Sequence, residues 1–216
     1  KTNGGGLQDI NVDWLEFGTL VGYMESHDEE RTMYAAQSYG TDGVKADYKL
    51  RLKRAGLNAA FFLLVPGPKM IWQFGEIGYD YSITYNGDRT AKKPWVTDDY
   101  LKDADRKALY DTYSMLLKFR ADNPRFFDGD AQFRWGVGAS NNPGRYIFCT
   151  NGDGDTFALF GNFGTGEQTV KITLPSDATW YRYDDSSSEW KGSYHEPKMS
   201  EGQLYILVDD KSLCKK

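Results

Sequence analysis

An α/β unit over residues 20–122, followed by an all-β sandwich that starts near residue 125, is the fold class this sequence predicts. Three observations lead there. Two stretches of helical hydrophobic period alternate with two short apolar runs ahead of Pro124. Beyond Pro124 the period drops from about 3.6 residues to about 2, with breaks at Gly, Asn and Asp. The change falls on "NP", residues 123 and 124, a pair that ends helices. The chain therefore divides into residues 1–124 and 125–216.

Leu20 to Met24 reads as a short strand, after which charge begins abruptly in "ESHDEER", residues 25–31. Between Asp47 and Leu64, Leu50, Leu57, Ala60, Phe61 and Leu64 share one helical stripe, with Lys49, Arg51, Lys53 and Arg54 largely opposite. "VPGP", residues 65–68, stops that helix, because proline has no amide donor and disfavours helix in the residue before it. "KMIWQF", residues 69–74, reads as a buried strand, and "GEIGYDYSI", residues 75–83, as a glycine-rich polar loop. Asp103 is the expected N-cap of a second helix whose apolar face is Leu109, Tyr113, Leu116 and Leu117. Strand, helix, strand, helix implies parallel strands joined by crossover helices.

The second part is built of "AQFRW", "RYIFCT", "TFALFGNF", "TVKITL", "TWYRYD" and "QLYILV". Val170, Ile172 and Leu174 point one way and Lys171 and Thr173 the other, as a strand with one wet face requires. "DDSSSEW", residues 184–190, reads as a polar turn. A sandwich of this kind is expected to fold alone.

Composition narrows the function. At 216 residues, 40% hydrophobic and 26% charged, the chain can bury a core and is not of disordered type. The longest apolar run, "AAFFLLV" at 59–65, is far too short to span a bilayer. A net charge of -5 with no long basic block argues against a nucleic-acid partner. Aromatic residues make up 15% of the chain; they suit a sugar cleft, where the apolar face of a pyranose stacks on a ring, and equally a filled core. Cys149 and Cys214 allow a disulfide or two free thiols. His27 and His195 lie far apart and the Asp residues follow no calcium-loop spacing, so no metal site is predicted. The opening "KTNGGGLQDI" lacks the apolar segment of a signal peptide.

Chemistry-bearing residues gather in "ESHDEER" and in "FGEIGYDY", residues 74–81. Each follows a predicted strand at its C-terminal end, where the loops of parallel α/β barrels surround one mouth. Solvated loops with helix caps are the alternative reading.

The ordered series of strand, "ESHD", helix, "FLLVPGPKMIWQFGEIGYD", helix ending "LLKFRADNP" and β-sandwich resembles the end of the catalytic barrel plus the C-terminal domain of the alpha-amylase superfamily of glycoside hydrolases. Nearly the whole chain takes part. The resemblance implies the C-terminal part of a (β/α)8 TIM barrel, strands seven and eight with their helices, then an antiparallel β-sandwich. It implies an α-glucan substrate: starch, glycogen or maltooligosaccharides. Asp28 would bind hydroxyls of the sugar at the cleavage point and stabilise the transition state, and His27 would donate to the same sugar. Glu76, Asp80 and Tyr81, after the eighth strand, would line the cleft. Glu25, Glu29, Glu30 and Arg31 carry no implied role, and a solvated helix start is expected for the last three.

The family's nucleophilic aspartate and acid glutamate follow earlier strands and have no counterpart here; Asp9 and Asp13 lack a strand-end setting. The expectation is a piece of a longer enzyme, inactive alone, whose partners are the α-glucan and the missing N-terminal part of the barrel. Exposed barrel edges would favour self-association. No cofactor is expected in this chain, and calcium, common in the family, would be held by the absent part. Ser26 stands where most amylases carry asparagine, and "ESHD" resembles the glycogen branching enzymes, whereas "WQFGEIGYD" resembles amylase-type hydrolases. Hydrolysis is the leading reading and glucanotransfer the alternative. A third is a non-catalytic carbohydrate-binding module presenting Trp135, Trp180, Tyr181, Tyr183 and Trp190.

Overall fold

The structure, a computed structural model, describes residues 21–136 and 145–214. Leu20, Asp9 and Asp13 lie outside them. Strands β1 (Gly22–Tyr23) and β2 (Lys69–Met70) pair in parallel, Gly22 opposite Lys69 and Tyr23 opposite Met70, as the crossover reading requires. Among the described residues these two strands close no barrel. Between them run α1 (Thr32–Tyr39), α2 (Asp42–Ala46) and α3 (Tyr48–Leu63). Asp47 caps α3 by accepting from Leu50 N at 3.0 Å. After a loop come α4 (Asp98–Lys102) and α5 (Ala104–Asp122), the latter capped by Asp103, which accepts from Asp105 N and Arg106 N. The Asp103 cap stands where the sequence put it, because an Asx side chain that satisfies free amides is a local device.

Three local readings change. "KMIWQF" leaves the ladder after Met70, since β1 supplies no partner beyond Tyr23 and the chain turns, Gly75 N donating to Trp72 O at 3.0 Å. Arg51, placed on the wet side of α3, is buried: its Nη1 donates to the carbonyls of Val44 and Lys45 at the end of α2. Those carbonyls have no partner within their own short helix, so the guanidinium completes them. Leu117 of α5 is exposed, and Phe119, wholly buried, takes its place in the apolar face.

A six-stranded antiparallel sheet follows, in the order β3-β4-β5-β12-β8-β9. Its members are β3 (Gln132–Gly136), β4 (Tyr146–Thr150), β5 (Thr156–Gly161), β8 (Thr179–Arg182), β9 (Asp185–Lys191) and β12 (Leu204–Val208). Two small antiparallel pairs lie apart from it, β6 (Gln168–Thr169) with β11 (Lys198–Met199) and β7 (Ile172–Thr173) with β10 (Tyr194–His195). "DDSSSEW" is thus mostly edge strand rather than turn: Trp190 faces Trp180 across the ladder, and alternate residues are half-buried. Pairing with a hydrophobic neighbour overrides the poor strand propensity of serine.

Strict alternation gives this sheet a core on each face. Phe157 and Leu159 of β5, Ile147 and Cys149 of β4, and Ile206 and Val208 of β12 join a cluster with Leu57, Leu63, Leu116 and Phe119 of the helices. Ala158, Phe160, Phe148 and Leu207 turn to the other side and meet Val170, Ile172, Leu174 and Met199. The layers are therefore helices, sheet and short strand pairs. The first core crosses residue 125, so a sandwich folding by itself would leave its helix-side face wet. Contact there is close: a Cβ on Gly161 would collide with the Leu57 side chain.

Aromatic residues mostly fill these cores. Trp180 and Tyr183 are wholly buried, and Trp135, Tyr181 and Trp190 pack against the clusters. Trp180 and Tyr183, being buried, offer no face to a sugar, which leaves the reading of the sandwich as a carbohydrate-binding module only the half-buried rings Trp135, Tyr181 and Trp190. Cys149 and Cys214 are both buried free thiols. No helix among the described residues is long and apolar enough to cross a membrane.

Candidate functional site

Charge at the C-terminal end of β1 sorts into a buried half and an exposed half. Ser26 is buried, and its Oγ accepts from Asp28 N at 3.1 Å, a serine turn that swings the next two side chains outward. His27 and Asp28 are consequently exposed, their side chains 73% and 64% accessible. Their polar ends meet, His27 Nε2 lying 3.1 Å from Asp28 Oδ2. The imidazole also faces Trp72, just beyond the end of β2, with ring centroids 6.1 Å apart. Residues from the ends of both parallel strands therefore come together. Asp28 Oδ1 pairs with Arg89 from the loop beyond the 3-10 turn Tyr85–Gly87, a surface contact rather than an internal lock.

Beneath this rim lies an ion pair that sequence reasoning missed. Arg31, expected in solvent, is 6% exposed and Glu25 is 5% exposed. Arg31 Nη1 donates to Gln73 O at 2.8 Å and stands 3.5 Å from Glu25 Oε2. Its guanidinium packs over the rings of Tyr79 and Trp72, at 4.9 and 5.8 Å from their centroids. Glu25 is pressed close to the second loop, for a Cβ on Gly75 would fall 2.6 Å from its Oε1. Oε2 has no hydrogen-bond partner among the described residues. Glu30 is not solvated either: it accepts from Ser82 Oγ at 2.7 Å and from Ile83 N at 3.1 Å, fastening the second loop to the first. Of Glu29, Glu30 and Arg31, only Glu29 is exposed as expected. The charges of "ESHDEER" turn inward at Glu25, outward at His27, Asp28 and Glu29, and back toward the protein at Glu30 and Arg31, a pattern hidden in the sequence because all six ionisable residues look solvated.

Burial pushes the Glu25 carboxyl up from 4.5 to about 6, with nearby Arg31 pulling the other way and Glu76 adding to the rise. A carboxyl that holds its proton more tightly when folded stabilises the fold below about pH 4.5, and that contribution is lost as pH rises through about 6. Urea melts across this window should show a loss of about 2 kcal/mol that Glu25→Gln abolishes. Identical pH profiles for the two proteins would contradict the assignment.

The remaining expected site residues divide. Tyr81 is 37% exposed and packs edge-on to Tyr85. Glu76 sits half-buried on the 3-10 turn Gly75–Ile77, where its charge is felt by Glu25 and Tyr113. Asp80 serves the scaffold: Oδ1 accepts from Tyr100 Oη at 2.8 Å and Oδ2 pairs with Arg106 at 2.9 Å. Among the described residues no three His, Cys, Asp or Glu side chains gather so as to hold a metal ion.

No protein-family model matches the sequence, and no curated protein matches it either. Solved structures do. The chain superposes on an Anoxybacillus alpha-amylase with a TM-score of 0.67 at 17% identity, covering 94% of this chain and 41% of that one. For Eubacterium rectale Amy13B the values are 0.63 and 15%, over 96% of this chain and 43% of that one. For a variant of AmyP in complex with maltotriose they are 0.62 and 13%, over 87% and 40%. The chain has an alpha-amylase-type fold. It spans about two fifths of the length of these amylase-type structures. In this amylase-type fold the rim of His27, Asp28 and Trp72 stands at the C-terminal ends of two adjacent parallel strands, where barrel enzymes of this architecture carry their sites.

Proposed function

We propose that these residues form the C-terminal part of an α-glucan hydrolase, a (β/α)8 enzyme whose seventh and eighth strands are β1 and β2. The observation that carries this reading is the exposed His27–Asp28 pair beside Trp72 at the ends of those strands. Cleavage with retention needs a carboxylate nucleophile and a carboxylic acid about 5 to 5.5 Å apart. No pair in this chain is assigned those roles, so the polypeptide alone is expected to release no sugar from starch. Asp28 does a different task. Its carboxylate accepts hydrogen bonds from ring hydroxyls, and those bonds tighten as positive charge grows on the sugar. His27 Nε2 is engaged by Asp28 Oδ2, which leaves the other ring nitrogen, Nδ1, for a neighbouring hydroxyl, so the two side chains would cover one edge of a single glucose unit. The neighbour with bound maltotriose supports the substrate class.

Transfer to another glucan in place of water is the second reading, favoured by Ser26, which turns Asp28 outward through its hydroxyl. The complete enzyme decides between them. Asp28→Asn should lower kcat by about a hundredfold or more, because an amide is a weaker acceptor for the charged transition state. Release of reducing ends from amylose marks hydrolysis. A fall in iodine staining without reducing ends marks transfer. Wild-type turnover in Asp28→Asn, or starch hydrolysis by this chain alone, would defeat the proposal.

A further inference from the structure

We propose that Trp95 is a second sugar-binding element, a stacking platform for a glucopyranosyl unit of a maltooligosaccharide lying outside the cleavage position. The inference rests on the α-glucan reading and extends it to a residue with no assigned role. Trp95 is 73% exposed, more than any other tryptophan among the described residues. Isolated exposed rings are ordinary on protein surfaces, but this one is built in. Its indole stands edge-on against Phe74, centroids 5.4 Å apart at 85°. Phe74 in turn packs on Tyr79 at 6.0 Å. Tyr79 donates through its hydroxyl to Pro94 O, the carbonyl immediately before Trp95. The ring is thus held from its edge and through its backbone.

Phe74 has a left-handed backbone, φ 68°, which is sterically costly for an aromatic residue. Strain of this kind persists where surrounding structure enforces it, and it clusters at ligand sites. Here it turns the Phe74 ring toward Trp95 rather than along the strand. The same loop that carries Trp95 also carries Arg89, whose guanidinium pairs with Asp28. Trp95 and the proposed cleavage subsite are linked by a chain of packed side chains that passes beneath the surface: Asp28 and His27, then Trp72, the buried Arg31 and Tyr79, Phe74 and Trp95. A pyranose presents a face of C–H groups that matches the electron-rich face of an indole.

The chain itself can be tested, by ¹⁹F NMR with 5-fluorotryptophan, assigning the Trp95 signal by Trp95→Phe and titrating maltoheptaose. Saturable movement of the Trp95 signal, with binding about tenfold weaker in Trp95→Ala, is the expected result. Asp28→Asn separates this proposal from the reading beneath it. If Trp95 still responds in that variant, the platform stands by itself. If the His27 ring resonances respond to sugar while Trp95 does not, the platform fails and the cleavage-subsite reading survives. Should the Trp95 signal follow protein concentration instead of sugar, the ring is covered by a second copy and the proposal is overturned.

Discussion

Phe119→Ala is expected to destabilise the helices and the sheet together, by about 3–5 kcal/mol. Phe119 is fully buried where the two halves of the chain meet. Its ring touches Phe126 at 6.0 Å, stacked, and stands edge-on to Phe157 at 5.2 Å and Tyr183 at 4.8 Å. One side of that cluster belongs to α5 and its following turn, the other to β5 and the strand-end after β8. Truncation removes an aromatic side chain and leaves a cavity between layers that cannot collapse independently. A loss of this size is a large share of the 5–15 kcal/mol that usually holds a domain together. Urea melts followed by far-UV circular dichroism and by tryptophan fluorescence should coincide, both shifted to lower denaturant. A variant in which the helical signal melts first while the sheet keeps its wild-type midpoint would show that the sheet stands alone and that the shared core is energetically idle.

Arg31→Met should cost about 3–5 kcal/mol at neutral pH, because it strands a buried carboxylate. The methionine replaces much of the stem's volume but offers Glu25 no cation and Gln73 no donor. The loss should shrink toward pH 5, where Glu25, already pushed up to about 6 by burial, takes up a proton more readily still. Adding Glu25→Gln to Arg31→Met removes the stranded charge and should recover most of the stability. Thermal and urea unfolding of the two variants at pH 5 and pH 7.5 measure this. A single variant within about 1 kcal/mol of wild type at pH 7.5 would mean that Glu25 reaches water and that the pair is ornamental.

These two sites mark the limits of reading the sequence. The helices around Leu57 and Leu116 were legible because a 3.6-residue period and an Asp cap are written within one element. Leu117 is misplaced and Phe119 missed because a residue four beyond Tyr113 and one three beyond Leu116 both fit a helical stripe, and only the sheet decides which is covered. The His27–Asp28 pair was legible through its strand-end position and its resemblance to a known motif. Arg31, Arg89 and Trp95 were not. Arg31 looks like any charge at a helix start, and its burial depends on Tyr79 and Trp72, dozens of residues away. For Trp95 the one local signal was an aromatic residue after "KKP" in a polar loop, and nothing in that string says that Phe74 would adopt a left-handed backbone to meet it.

By itself the sequence determined the two long helices, the parallel course of the two short strands, and the change to antiparallel sheet after Pro124. Those choices rest on interactions between near neighbours, which are present in any local stretch of chain. Tertiary structure alone decided which charges are buried, that one hydrophobic core spans both halves, and which aromatic rings face water. Each of these depends on contacts between residues far apart in the chain, and burial is a property of the assembled layers rather than of any residue within them.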